Sequence, residues 1–453
     1  MSIYRYTLSD YHAIKEADIT IDGITVLAGE NGCGKSTLSR WLYYLVNGAQ
    51  RFEELRIEVY VSDVAQRIAE QSLAVRELRY NINKEVPIDN ETSFSRPKHI
   101  KSSSLNISED PNIKQIQEKY EDFIYNTGAL IIAYLEYSPS PDAKGRRILK
   151  SLNADYNVDN YDNPKLVAQN YIDSCMQWLN HQTNDLYEDL ELRPLKEFFY
   201  NTLIEYDEHD EKPTNLQLRE DDVELISEYR VSSLFNLKRA IYIDTPMALT
   251  NESGRNLFWI ELRALMTPRP NRKLEMSEKK LLRRITNILH GEAKMVKDDS
   301  PFADNELQLH FVSDDGKVNI EIKNVATGFK TFIYLQRLLE NGYLGSDCLL
   351  LIDEPEAHLH PQWIVEYARL LVLLHKELGQ KIMLATHNPD MVAAIRSIAE
   401  REQVLDKTNF YISEPSGKSN TYCYKALGTD ISEIFTSFNI ALDRIQAYGT
   451  DNL

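Results

Sequence analysis

Residues Gly29-Glu30-Asn31-Gly32-Cys33-Gly34-Lys35-Ser36 spell G-x-x-x-x-G-K-S, a complete phosphate-binding loop. The run before it, Ile24 to Ala28, is apolar, and the residues after it set Leu38, Trp41, Leu42 and Leu45 on one helical face. Strand, loop and helix thus follow in the order this motif requires. Glycines let consecutive backbone N–H groups turn onto phosphate oxygens, and the helix N-terminus adds a favourable dipole. Lys35 is placed to reach the β- and γ-phosphates, and the Ser36 hydroxyl to coordinate Mg²⁺. Gly29, Asn31, Gly32, Cys33, Gly34, Lys35, Ser36 and Thr37 are the candidate nucleotide contacts. A chance glycine-rich turn would not bring both flanks. The loop predicts a nucleoside triphosphate with Mg²⁺ as the ligand, and the distal half makes ATP the better choice.

The distal half supplies the rest of a hydrolytic site. Leu349-Leu350-Leu351-Ile352 is a continuous aliphatic run, as in a strand buried on both faces, and it ends in Asp353-Glu354-Pro355. Acids at the C-terminal end of such a strand sit in the crevice where α/β sheets hold ligands. Asp353 is the candidate Mg²⁺ carboxylate, direct or through another group, and Glu354 the candidate that orients or deprotonates the attacking water. Lys381 to Thr386 reads as another buried strand, ending in His387, a candidate γ-phosphate sensor. Between them Ala326-Thr327-Gly328 opens a helix carrying Phe332, Leu335, Leu338 and Leu339. Taken alone, that is an ordinary helix cap, with anion binding the second reading. His358 and His360 beside Glu356 could hold a metal, but their spacing on a turn suits contacts across a dimer better.

Together these elements resemble the ABC-type ATPase superfamily, in the branch that includes RecF, the SMC proteins and the OLD-family nucleases. The phosphate loop, the strand running into Asp353-Glu354-Pro355-Glu356-Ala357-His358-Leu359-His360-Pro361, and His387 fall in that family's order. The resemblance implies an α/β, RecF/SMC-like P-loop ATPase head. It sets Ala326, Thr327 and Gly328 where the signature motif stands, which in this family contacts the γ-phosphate held by the other subunit. A homodimer or higher homo-oligomer with composite ATP sites follows, and Leu359 to Pro361 fall in the loop at its interface. Two departures are visible. Asp244-Thr245-Pro246 follows Ala240 to Ile243 where a glutamine loop is expected, and no Cys-x-x-Cys hook or sustained heptad pattern announces long coiled-coil arms.

The expected organisation is an ATPase head from residues 1–48 and 238–453 around a large, mostly helical insertion at 49–237, with a mobile loop near 83–112. Asn47-Gly48 reads as a helix end, and Asp315-Gly316 as the turn of a hairpin. The N-terminus shows no secretory signal and the longest apolar run, Ala129 to Leu135, is far short of a membrane span, so the cytoplasm and no membrane partner are expected. Four scattered cysteines suit neither a disulfide nor a metal site.

A net charge of −18 repels nucleic acid overall. The distribution is uneven: Asp185 to Glu228 holds fifteen acids against four basic residues. Arg269, Arg272, Lys273, Lys279, Lys280, Arg283 and Arg284 form a basic run and are the candidate nucleic-acid contacts, with a smaller cluster at Lys144, Arg146, Arg147 and Lys150. No paired-acid nuclease pattern follows His387. A compact ATPase of this branch without a nuclease domain resembles the ATPase subunit of Septu-type anti-phage defence systems, which works with a separate HNH nuclease. Val325 to Lys330 and Phe435 to Ile445 carry that likeness. The alternatives are a RecF/SMC-like DNA-repair ATPase that binds DNA directly, and a slow nucleotide-stabilised scaffold in a multiprotein assembly.

Overall fold

The computed structural model describes residues 2–85, 111–152, 161, 163–205, 212–227, 229–249, 257–269, 272–297, 307–417 and 420–436. The chain divides into two units, Met1–Arg51 with Pro194–Leu453, and Phe52–Arg193. It enters the first through β1 (Tyr4–Tyr11), β2 (Ile14–Ile21), β3 (Ile24–Ala28) and α1 (Lys35–Gln50). The second unit is α2 (Phe52–Glu85), α3 (Pro111–Tyr137), α4 (Ala143–Leu152) and α5 (Pro164–Leu192). Back in the first, α6 (Leu195–Glu205) leads to β4 (Asn215–Glu220), β5 (Val223–Ile226), β6 (Arg239–Ile243), α7 (Leu257–Leu265) and α8 (Met276–Leu289). A small sheet of β7 (Gly291–Lys297), β8 (Leu307–Ser313) and β9 (Asn319–Glu321) precedes α9 (Thr327–Glu340). Then come β10 (Cys348–Asp353), α10 (Pro361–Leu378), β11 (Lys381–Thr386), α11 (Pro389–Arg401), β12 (Thr408–Pro415) and β13 (Tyr422–Gly428).

The main sheet runs β5-β4-β1-β2-β13-β12-β3-β11-β10-β6. Strands β12, β3, β11, β10 and β6 are parallel, and antiparallel hairpins extend the sheet beyond them. The parallel strands are aliphatic because both faces are covered; every residue of β10 and β11 is buried. One face, with Val26, Ile243, Leu350, Ile352, Ile382 and Leu384, packs in a single core with α8, α9, α10 and α11. Register then levels the C-terminal ends: Ala28 lies opposite Thr386, Ala385 opposite Asp353, and Ile352 opposite Ile243. Four loops therefore leave the sheet side by side.

Two expectations change. The boundary of the helical insertion falls at Arg193 rather than 237, because β4 and β5 join the main sheet through β1. Asn47-Gly48 does not end α1. Asn47 instead ties the helix to β6 by exchanging hydrogen bonds with Ala240 N and O, and Gly48 admits Phe198, which would lie 2.7 Å from an added Cβ. Of the stretch 83–112, residues 86–110 lie outside the described residues, and the flanking positions are helical.

The helical unit has its own core, built on Tyr60, Leu78, Tyr120, Tyr171 and Leu186 among others. A buried polar contact threads it: Tyr60 OH lies 3.0 Å from Thr183 Oγ1, and Gln117 Nε2 donates to both. Among the described residues no helix is long and apolar enough to cross a membrane.

Candidate functional site

The phosphate loop is held from three sides. Gly29 N donates to Thr386 O of β11 at 3.3 Å, and an added Cβ on Gly29 would sit 2.0 Å from Ser413 Oγ of β12. The turn of the β1–β2 hairpin closes on Gly34, where an added Cβ would meet Ile14 at 2.7 Å. From β13, Tyr424 OH donates to Cys33 O at 3.1 Å. Gly32 and Gly34 have φ of 82° and 93°, a left-handed backbone that glycine enters at no steric cost. The loop's shape leaves the N–H groups of Gly32, Cys33, Gly34 and Lys35 without an acceptor among the described residues. Lys35 Nζ arches back to Gly29 O at 2.9 Å and Glu30 O at 2.7 Å. Asn31 and Ser36 are exposed and Thr37 is half-buried.

Asp353, at the end of β10, is buried and heavily hydrogen-bonded. Ser39 Oγ donates to Oδ1 at 2.7 Å and Tyr242 OH to Oδ2 at 2.8 Å, and the nearby Ser36 hydroxyl also favours the charged form. Burial nevertheless holds its pKa above the ordinary carboxylate range. Asp244, one strand over, is pushed up to about 6, chiefly by burial, although Trp259 Nε1 donates to it at 2.8 Å.

Glu354 leaves the strand with φ 45°, a conformation that costs a non-glycine residue on the order of 1 kcal/mol. Its N–H donates to Ala385 O at 2.8 Å, and its side chain reaches across to His387, with Oε1 3.4 Å from Nδ1. Glu356 braces the same corner from inside: Oε1 accepts from Thr386 Oγ1 at 2.6 Å and from His387 N at 3.3 Å. Neither Glu356 Oε2 nor His387 Nδ1 has a hydrogen-bond partner, and burial raises the Glu356 pKa.

The structure thus brings together the loop, Asp353, Glu354 and His387. Ala326, Thr327 and Gly328 stand apart at the start of α9, and no hydrogen bond among the described residues joins them to that group. Ala326 is exposed and Thr327 half-buried, while Gly328 packs on the turn after β10, where an added Cβ would lie 2.9 Å from His358 O. His360 caps α10, its Nδ1 accepting from Gln362 N at 3.4 Å. Among the described residues no group of three or more His, Cys, Asp or Glu is arranged to hold a metal.

The basic run divides. Arg272 donates to Leu339 O and Glu340 O at the end of α9 and pairs with Glu278. Arg269 lies 4.0 Å over the Tyr343 ring, and Lys280 pairs with Glu377 at 2.9 Å. Lys273, Lys279 and Arg283 are exposed and Arg284 is half-buried. Cation count in the sequence could not separate a helix-capping arginine from a surface one.

Sequence reasoning passed over Ser39, Tyr242 and Tyr424, and treated Asp244 only as a departure. Ser39 follows Lys35 by one helical turn, and Tyr242 and Asp244 alternate at the end of β6. Neither spacing marks function without knowing that β6 lies beside β10.

A model of the AAA ATPase domain family (AAA_15) matches residues 1–392. The energy-coupling factor transporter ATP-binding protein EcfA2 of Clostridium perfringens (strain SM101 / Type A) is 39% identical over 72 residues, 16% of this chain and 25% of that protein. A putative ABC transporter ATP-binding protein of C. perfringens (strain 13 / Type A) matches with the same identity over the same shares. The chain therefore spans a quarter of the length of these curated relatives. Among solved structures, the Smc head domain with an extended coiled coil bound to the C-terminal domain of ScpA, from Pyrococcus furiosus, aligns with TM-score 0.33 and 11% identity, over 98% of this chain and 100% of that one. The SmcHead bound to the C-winged helix domain of ScpA gives 0.35 and 12%, over 96% and 99%. These scores are low, and the assignment rests on the family match. The fold is that of an α/β P-loop ATPase domain carrying a large helical insertion, and the chain belongs to the AAA ATPase domain family.

Proposed function

We propose that this chain binds ATP on its phosphate loop, hydrolyses it with Glu354 and His387, and uses the ATP-bound state to join a second copy and gate a partner nuclease. The carrying observation is the row of N–H groups from Gly32 to Lys35 without a protein acceptor, on a sheet edge level with Asp353, Glu354 and His387. Phosphate oxygens are the acceptors such a row fits. Lys35 would exchange the Gly29 and Glu30 carbonyls for β- and γ-phosphate oxygens. Ser36, exposed and close to Asp353, would hold Mg²⁺, with Asp353, itself held by Ser39 and Tyr242, on the same side. Bound Mg²⁺ supplies charge neutralisation to the phosphates. Glu354 takes the proton of the attacking water, and His387, held at its backbone by Glu356, orients the γ-phosphate side.

Exposed Ala326 and half-buried Thr327 support a role for α9 in the site of a second copy. The coupling to an HNH nuclease in Septu-type defence rests on the likeness of Val325 to Lys330; of the companion stretch Phe435 to Ile445, residues from 437 on lie outside the described residues. The direct DNA-binding alternative has less support, since Arg269, Arg272 and Lys280 are engaged within the fold.

Glu354→Gln tests the catalytic part. Binding calorimetry should give unchanged ATP affinity while phosphate release falls by roughly 10²–10⁴-fold, the usual weight of general-base assistance. Lys35→Ala should lose the binding itself. Hydrolysis at the wild-type rate by Glu354→Gln would remove Glu354 from the mechanism.

A further inference from the structure

In the helical unit, α2 and α3 run side by side in the same direction. Tyr60 meets Gln117 at one end, and residues 72–79 meet 123–130 further along. A seam between two helices is normally filled by apolar residues spaced three and four apart. Positions 72, 75, 76 and 79 and positions 123, 126, 127 and 130 have that spacing, yet five of these eight residues are polar, and a cavity of about 260 Å³ opens between them.

Two small hydroxyl residues make the room. Ser72 Oγ donates to Ile68 O at 2.6 Å and Thr127 Oγ1 to Phe123 O at 2.8 Å, so both are satisfied within their own helices. Val75, Phe123 and Leu130 form an apolar wall. At the mouth stand Arg76, Arg79 and Asn126, all exposed and without an ion pair or hydrogen bond to any described residue. Among the described residues no carboxylate lines the cleft, in a chain with 69 acids to 51 basic residues. Arg76, Arg79 and Asn126 thus stand at the solvent edge of a seam whose inside is apolar, with Leu78, Ile124 and Ile131 buried, and they pair with no described residue, so their donors remain available to a ligand. Two guanidinium groups one turn apart can share the three oxygens of a phosphate through charge-assisted hydrogen bonds, and an apolar wall containing a phenyl ring accepts a flat ring.

We propose that this cleft is a second ligand site, which binds a phosphate monoester carried on a flat ring. Arg76 and Arg79 take the phosphate, Phe123 with Val75 and Leu130 takes the ring, and the Asn126 amide reads the ring's polar edge. The site is separate from the phosphate loop and needs no part of it.

The test is calorimetric titration of the full chain with 1-naphthyl phosphate, which has the ring and the anion and nothing else. Saturable binding is expected, with equal affinity in wild type and Lys35→Ala. ATP titrated into the same samples reports the phosphate loop separately. R76Q/R79Q should weaken the ester by about tenfold or more, the loss expected when charge-assisted hydrogen bonds are removed. Circular dichroism and thermal midpoint should stay at wild-type values. Ser72→Leu keeps both arginines but fills the cavity, and should block the ester as well. Inorganic phosphate and 1-naphthol alone should each bind about tenfold more weakly than the ester. The proposal is overturned by absence of saturable binding, by equal affinity in R76Q/R79Q, by inorganic phosphate binding as tightly as the ester, or by binding that disappears in Lys35→Ala.

Discussion

Both oxygens of Asp353 take hydrogen bonds, from Ser39 and Tyr242, and Ser36 reaches the same group. A buried carboxylate needs such donors, because desolvation favours its neutral form. Tyr242→Phe removes one donor and leaves an oxygen facing an apolar ring, so it should cost about 1–3 kcal/mol of stability by urea denaturation. The same change should lower hydrolysis, since a carboxylate short of donors drifts toward protonation; unchanged stability and rate would show that the bond is not needed. Asp244 gives a pH dependence whose sign can be worked out. Burial raises its pKa to about 6, so the fold favours the neutral acid. Its contribution is fully present below the unfolded carboxylate value and lost as pH rises through about 6. Relative to Asp244→Asn, wild-type protein free of nucleotide and Mg²⁺ should therefore lose thermal stability between about pH 4.5 and about pH 7.5. A constant difference across that range would mean Asp244 does not titrate there.

The helix α1 shows how packing overrides local signals. Alanine is about 1 kcal/mol better than glycine inside a helix. At Gly48, however, an added Cβ would lie 2.7 Å from Phe198 and 3.0 Å from Thr202, and overpacking of that kind costs about 1–3 kcal/mol. Overpacking should win, and Gly48→Ala should lower the thermal midpoint; a rise would mean that α6 gives way easily. The same competition explains what could be read from the chain. The aliphatic runs of β3, β10 and β11 and the loop at Gly29 to Ser36 were legible, because strands buried on both faces and a phosphate loop leave little choice of residue. The hairpin β4–β5 was not. Its alternation of buried Leu216 and Leu218 with exposed Asn215, Gln217 and Arg219 is short and set in an acid-rich stretch, and its place in the main sheet comes from pairing with β1, far away in the chain. Asn47 and Gly48 have the composition of a helix end, and only the neighbours Ala240 and Phe198 give them other work. Glu356 stood inside a legible motif, but its brace on Thr386 and His387 depends on β11 lying beside β10.

For the whole molecule, the question is whether ATP joins two copies. Each copy carries −18, and ATP adds further negative charge, so association cannot come from net charge. At about 0.15 M salt the Debye length is about 8 Å, which confines the repulsion and leaves local groups to decide. The start of α9 offers a suitable local group: helix N–H donors beside exposed Ala326 and half-buried Thr327, where the helix dipole favours a phosphate. Glu354→Gln should trap unhydrolysed ATP and therefore shift from one copy to two in light scattering when ATP and Mg²⁺ are added. Adding Ala326→Asp should abolish the shift by setting a carboxylate against the phosphate. Aspartate is a good residue at an N-cap, so this substitution should not weaken α9, and ATP binding to the single copy should persist. Gly328→Asp is a poorer probe, because the His358 carbonyl, 2.9 Å from an added Cβ, would make it disturb its own subunit. If Glu354→Gln and the double variant keep one association state with and without nucleotide, α9 does not complete a second copy's site, and each chain hydrolyses ATP with its own residues alone.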